Sequence, residues 1–171
     1  MRYFEESVET MPRKALEALQ IEKLCSMLEQ IYGRNRFYTD KLDAAGIHPD
    51  SIQTLDDLKR LPLTEKSELV QAQSDALPFG SNTTFEESAY SRFHQTSGTT
   101  GTPLRVLDTP ESWDWWGRCW GHVLAGAGLT ENDRMFVPFS FGPFIGFWAA
   151  VEGSQKINAL MIPGGGRDSL Q

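Results

Sequence analysis

Four hydroxyl side chains and two glycines fall within six consecutive residues, Thr96-Ser97-Gly98-Thr99-Thr100-Gly101. Glycine lets successive backbone N–H groups turn toward one point, and Ser/Thr hydroxyls donate to the same place, so the run suits a polyphosphate. Gly and Thr are also common turn residues, and an ordinary hairpin loop is the competing reading of composition alone. The run is not a Walker A loop: no Lys-Ser/Thr follows the second glycine, and the pattern after it is that of a strand rather than a helix. No GxSxG elbow or HExxH motif occurs, which removes the usual hydrolase signatures.

A second group lies at 139–148, where Phe139, Phe141, Phe144, Phe147 and Trp148 are interrupted by Gly142 and Gly146. Rings separated by glycines suit the wall of a flat apolar cavity, and equally the packing of a strand against a helix. Trp113, Trp116 and Trp120 recur at i, i+3 and i+7, the spacing of one helix face turned to a core or a subunit interface. Arg118 and His122 share a face but have no carboxylate or thiol set around them in the sequence, so no metal site is expected. His48 and His94 are singletons and read as structural, with His94 two residues before the hydroxyl-rich loop.

The elements that must position these residues follow from periodicity and capping. Ile21, Leu24, Leu28 and Ile31 at helical spacing predict one amphipathic helix over 12–33. A second helix is expected over 36–45, stopped by Gly46. Thr54 suits the cap of 55–60 and Thr64 the cap of a helix running to 73. The polar and turn residues of 75–84 read as a linker. Short strands over 89–94 and 104–107 flank the loop. Thr109 followed by Pro110 marks the start of a helix to 127. A strand over 135–139, a helix over 144–153 and a strand over 159–162 complete the pattern.

The expected fold is therefore α/β: a helical N-terminal region over 1–75, then over 76–171 the first part of a mixed or mainly parallel sheet that carries the loop. A strand feeding Pro163-Gly164-Gly165-Gly166 near the end of 171 residues suggests the front piece of a larger polypeptide. Apolar surface left by such a cut would favour self-association, so a homodimer is expected.

The net charge of −7, with no cluster of Lys or Arg, argues against a nucleic-acid partner. No apolar run approaches the roughly 18 residues of a membrane span, and the first residues lack a secretion-signal pattern. Cys25 and Cys119 stand alone and fit a reducing, cytoplasmic setting.

The run Thr96-Ser97-Gly98-Thr99-Thr100-Gly101-Thr102-Pro103 resembles the phosphate loop of adenylate-forming, AMP-binding enzymes, specifically the phenylacetate–CoA ligase group. Further matches come in order along most of the chain: Phe37-Tyr38, Thr54-Leu55-Asp56-Asp57-Leu58, Leu61-Pro62-Leu63-Thr64-Glu65-Lys66, Gly128-Leu129-Thr130 before Asp133-Arg134, and Pro163-Gly164-Gly165-Gly166. The resemblance implies an acid–thiol ligase that uses ATP with Mg2+ to convert a carboxylic acid, in this group an aromatic one, to an acyl-adenylate and passes the acyl group to coenzyme A. Thr96, Ser97, Gly98, Thr99, Thr100 and Gly101 would embrace the ATP phosphates, and Phe139 and Phe144 would wall the aryl-acid pocket. The catalytic residues, including the adenine and ribose contacts and the acidic Mg2+ residue, would lie beyond Gln171, so the chain alone is expected to be inactive. Thr102 and Leu104 stand where relatives often carry a lysine, with Arg105 the nearest cation, and Ile145-Gly146-Phe147 stands where they tend to have Thr-Gly-Gly. The alternative is a short, non-catalytic homologue that binds a nucleotide or a protein.

Overall fold

The computed structural model describes residues 3–98, 101–139 and 142–165. The chain divides into two compact units, one of Met11–Tyr90 and Gly98–Leu107 and one of Met1–Thr10, Ser91–Ser97 and Asp108–Gln171.

The first unit is helical. Helices α2 (Arg13–Ile31), α3 (Arg36–Ala44) and α4 (Lys66–Asp75) follow a short α1 (Glu6–Glu9) that belongs to the other unit. The stripe read from the sequence is the one buried: Leu28 packs with Leu42, Ile47 and Ile52, and Ile21, Leu24, Ile31, Tyr32 and Leu61 surround them. Asn35 caps α3, its Oδ1 accepting the Tyr38 N–H at 3.1 Å, while its Nδ2 donates to Asn82 Oδ1 and Thr84 Oγ1, each at 3.1 Å. The stretch expected to be a linker is thus fastened to a helix start, and Phe37 N–H adds a bond to Ser81 O at 3.2 Å.

Two helix starts differ in detail from the sequence reading. Residues Leu55–Arg60 form a 3-10 helix, begun by Thr54 as expected: its N–H and its hydroxyl both donate to Asp57 Oδ2 at 2.9 Å. The cap of α4 is Glu65 rather than Thr64. Glu68 explains the offset, because its carboxylate is fixed by Lys41 at 2.6 Å and accepts the Glu65 N–H at 2.7 Å, so the reciprocal partner must stand three residues before it.

The second unit holds β1 (Arg92–Gln95), α5 (Pro110–Gly126), β3 (Arg134–Val137), α6 (Ile145–Lys156) and β4 (Leu160–Pro163). Strand β2 (Arg105–Asp108) enters it at Asp108, whose carbonyl accepts the Ser91 N–H at 3.0 Å. Strand β1 begins later than expected because Glu87–Ala89 turn as a 3-10 helix. Thr109 caps α5 through the Ser112 N–H at 3.1 Å, with Pro110 at the first position, as the sequence predicts. Strands β3 and β4 pair in parallel, Arg134 with Leu160 through Val137 with Pro163, and α6 is their crossover. This mixed helix-and-parallel-strand unit is the α/β arrangement expected.

Glycines let α5 and α6 approach closely. A Cβ on Gly153 would stand 2.3 Å from Trp120 Cβ and 3.1 Å from its backbone carbon, and one on Gly117 would stand 2.6 Å from Glu152 Cγ. Trp113 is buried and donates through Nε1 to Glu152 Oε2 at 2.8 Å, and Lys156 pairs with Asp114. Trp120 packs against Leu124, Ile157 and Ala159. Trp116 does not complete the stripe: it is 41% exposed, since α6 covers only the side that carries Trp113 and Trp120. Arg118 and His122 do have carboxylates around them, contrary to the sequence neighbourhood. Helix α1 and its approach bring Glu5 to Arg118 at 2.7 and 2.9 Å and Glu9 to His122 Nδ1 at 3.2 Å. No group of three or more metal-ligating side chains occurs among the described residues.

Replacing Gly153 by Ala forces the two helices apart against backbone as well as side-chain atoms, and should cost about 1–3 kcal/mol of stability in urea unfolding. Asp57, held down to about 2 by the backbone N–H groups of Gln53 and Thr54, the Thr54 hydroxyl and Arg60, contributes stability that is present above its ordinary 3.8 and lost as pH falls through 2. Asp57→Asn should therefore flatten the acid limb of the stability–pH curve measured by circular dichroism.

Candidate functional site

The hydroxyl-rich run leaves β1 at Thr96 and re-enters β2 at Arg105. Thr99 and Thr100 lie outside the described residues, so four of the six expected phosphate contacts have a described position. Gly98 and Gly101 both hold positive φ, +67° and +142°, a conformation that side chains with a Cβ rarely adopt. The Gly101 N–H donates to Gly98 O at 2.9 Å. A Cβ on Gly98 would lie 2.9 Å from Gly101 O and 2.9 Å from Pro103 Cγ, so only glycine fits the space as well as the dihedral.

One side chain that the sequence did not single out fixes the returning arm. Gln73, on α4 and 2% exposed, donates through Nε2 to Pro103 O at 3.0 Å and accepts the Arg105 N–H on Oε1 at 2.7 Å. It thereby acts as a short piece of strand, offering one acceptor and one donor to the backbone. Gly80, at φ +82°, sits against it so closely that a Cβ would lie 2.9 Å from the Gln73 backbone nitrogen. A lone Gln on a helix gives no sequence signal for this contact, which spans about thirty residues. Arg105, the cation nearest the loop, donates through Nη1 to Pro78 O at 3.0 Å.

In the other unit, the arm that leads into the loop buries His94 against α5. His94 stacks on Trp113 with ring centroids 5.0 Å apart and 24° between planes, and Gln95 N–H donates to Pro143 O at 2.8 Å. Burial holds the His94 imidazole below its ordinary value near 6.5, against the pull of Asp108 and with Arg92 adding to the effect.

The aromatic segment gathers through a ring that was not named as a wall residue. Phe147 stacks on Phe139, centroids 4.5 Å apart and 16° between planes, and meets Phe144 edge-on at 6.3 Å. Phe139 and Phe144 thus share one neighbour while remaining 45% and 37% exposed. Trp148 donates through Nε1 to Gly142 O at 2.8 Å, tying the first turn of α6 to the segment before it. Phe141 lies outside the described residues.

No family model matches the chain. Curated relatives do: the phenylacetate–coenzyme A ligase of Escherichia coli is 34% identical over 165 residues, covering 96% of this chain and 37% of the relative. The enzyme of the same name from Thermus thermophilus is 32% identical over 160 residues, covering 94% of this chain and 35% of the relative. Among solved structures, a 2-hydroxyisobutyryl-CoA ligase in complex with 2-HIB-AMP and CoA, in the thioesterification state, matches with a TM-score of 0.90 at 26% identity, over 99% of this chain and 36% of that one. Along nearly its whole length the chain is thus similar to part of the phenylacetate–CoA ligases and of a second CoA ligase. It spans somewhat over a third of the length of the relatives it matches. The same ligase in its open conformation matches with a TM-score of 0.88 at 25% identity.

If Gln73 holds the returning arm of the loop, Gln73→Leu should cost about 1–3 kcal/mol, because the Arg105 N–H and Pro103 carbonyl lose their partners. Hydrogen exchange at the Arg105 amide should accelerate before the core amides of α2 do. Unchanged exchange at that amide would show the brace to be idle.

Proposed function

We propose that this region serves an ATP-dependent acyl-CoA ligase, carrying the loop that holds the ATP phosphates while a carboxylic acid is converted to its acyl-adenylate. One observation carries the reading. The hydroxyl-rich loop, with two glycines at positive φ, stands on a fold that superposes along 99% of its length on a ligase solved with an acyl-adenylate and CoA. Thr96, Ser97, Thr99 and Thr100 supply hydroxyl donors, and the glycines let backbone N–H groups face the phosphates. The acid carboxylate attacks the α-phosphorus, pyrophosphate leaves, and the acyl group then passes to the thiol of CoA with release of AMP.

In this reading the acid is aromatic, and Phe139 and Phe144 flank its ring with Phe147 as their common support. Mg2+ accompanies the ATP phosphates. The described residues offer it no group of ligands of their own, and no step is assigned to it in this chain. The residues that perform the chemistry belong to the part of the ligase beyond Gln171. A cytoplasmic setting, where ATP and CoA meet, goes with the reading; among the described residues no helix is long and apolar enough to cross a membrane. Phe136, Leu160 and Ile162, exposed on β3 and β4, support the self-association expected from the sequence.

The test is ATP–pyrophosphate exchange by the whole protein across a panel of aromatic and aliphatic acids, followed by thioester formation with CoA. Exchange with at least one aromatic acid is expected. Gly98→Ala should lower it by about tenfold or more, since a strained dihedral of this kind costs about 1–3 kcal/mol. Phe144→Ala should raise KM for the aromatic acid and leave KM for ATP unchanged. No exchange with any acid, together with binding of a nucleotide or protein by the chain, would establish the non-catalytic alternative instead.

A further inference from the structure

Three polar atoms are buried without a partner among the described residues: both ring nitrogens of His94 and Oδ2 of Asp108. Leaving such atoms unpaired in a buried site is costly, so an arrangement that could pair them and does not invites an explanation. His94 Nε2 and Asp108 Oδ2 face each other at 3.8 Å, about 1 Å beyond the 2.7–2.9 Å of a charge-assisted hydrogen bond. Both side chains are more than nine-tenths buried.

The surroundings decide which partner gives way. Asp108 is held twice, its Oδ1 accepting from Ser112 Oγ at 3.0 Å and its carbonyl accepting the Ser91 N–H at 3.0 Å. Among the described residues, His94 is held by its stack on Trp113 and by the backbone of β1, two residues before Thr96. The charged groups around the imidazole are Asp108 at the end of β2, Arg92 on β1 with its guanidinium 5.3 Å from the Trp113 ring centre, and on α6 Glu152, which is engaged by Trp113 Nε1.

We propose that His94 and Asp108 form a proton-operated positioning pair at the root of the phosphate loop, standing apart while the imidazole is neutral and closing to an imidazolium–carboxylate ion pair on uptake of one proton. The proton comes from solvent and resides on the imidazole, and no other bond is made or broken. Closing the gap draws His94 toward the anchored Asp108 and carries Thr96 and Ser97 with it, so the start of the loop holds two positions separated by about 1 Å. Burial opposes the charged form, which puts closure on the acid side of the ordinary imidazole range. The name of the loop rests on the function proposed above. The titration needs no nucleotide or acid, so failure of the pair and failure of that function are told apart.

Two-dimensional NMR of the protein across pH 4–8 tests the pair, following the His94 ring resonances together with the Thr96 and Ser97 backbone amides. His94→Gln assigns the ring signals, and the isosteric Asp108→Asn removes the facing charge with little change of shape. Expected are a His94 midpoint below 6.5, Thr96 and Ser97 amides moving with that same midpoint, and a further fall of the midpoint in Asp108→Asn. Should His94→Gln fail to fold, Asp108→Asn and the wild-type amides still decide. A midpoint at or above 6.5, amides that do not follow it, or a midpoint indifferent to Asp108→Asn would each overturn the pairing.

Discussion

A loop that offers backbone N–H groups to a ligand must leave them unused within the fold, so the arms on either side have to be held by groups the loop does not need. On the function proposed for it, the run 96–101 is under that constraint. On the returning arm the holding group is Gln73, which takes one acceptor and one donor from the backbone and leaves the glycine positions alone. On the leading arm it is burial: His94 stacks on Trp113, and the Gln95 N–H is satisfied by Pro143 O. Gly98 and Gly101 then keep dihedrals that no longer have to be stabilised by their own hydrogen bonding beyond the one bond between them. Such preorganisation matters because ordering a loop at the moment of binding would consume affinity.

The same economy governs the helices behind the sheet. Gly117 and Gly153 remove the side chains that would hold α5 and α6 apart, and the space they leave is filled by Glu152, Lys156 and Trp120. Trp113 is fixed from that side through Glu152, so the indole that supports His94 is itself positioned by α6. A parallel pair such as β3–β4 requires a crossover, and α6 serves that purpose while also backing the aromatic segment at its N-terminus. Phe147, on the first turn of α6, is where the two roles meet, since it is the neighbour shared by Phe139 and Phe144.

What could be read from the sequence was what depends on near neighbours. The apolar stripe of α2, the Thr109-Pro110 start of α5, the Thr54 turn and the glycine-rich loop each have their cause within a few residues. What could not be read depends on partners far along the chain. Gln73 meets its backbone partners about thirty residues on, and Arg118 finds Glu5 from 113 residues away. The cap of α4 moved to Glu65 because Lys41, on another helix, fixes Glu68. Trp116 has the spacing of a core residue and is exposed, because periodicity reports which residues share a face and not how much of that face a neighbour covers.

Arg105 shows why a charge near a loop is not the same as a charge available to it. It is the cation closest to the glycine-rich run in the sequence, three residues after Thr102 and one after Leu104. Its guanidinium is directed to the Pro78 carbonyl, and its backbone N–H to Gln73. Neutralisation of a bound polyphosphate in this region would therefore fall on oriented N–H dipoles and hydroxyls, which act at short range and are little affected by the net charge of −7 carried by the chain. On the function proposed for it, such a loop would set the position of the phosphates and leave the bulk of their charge to groups outside these residues.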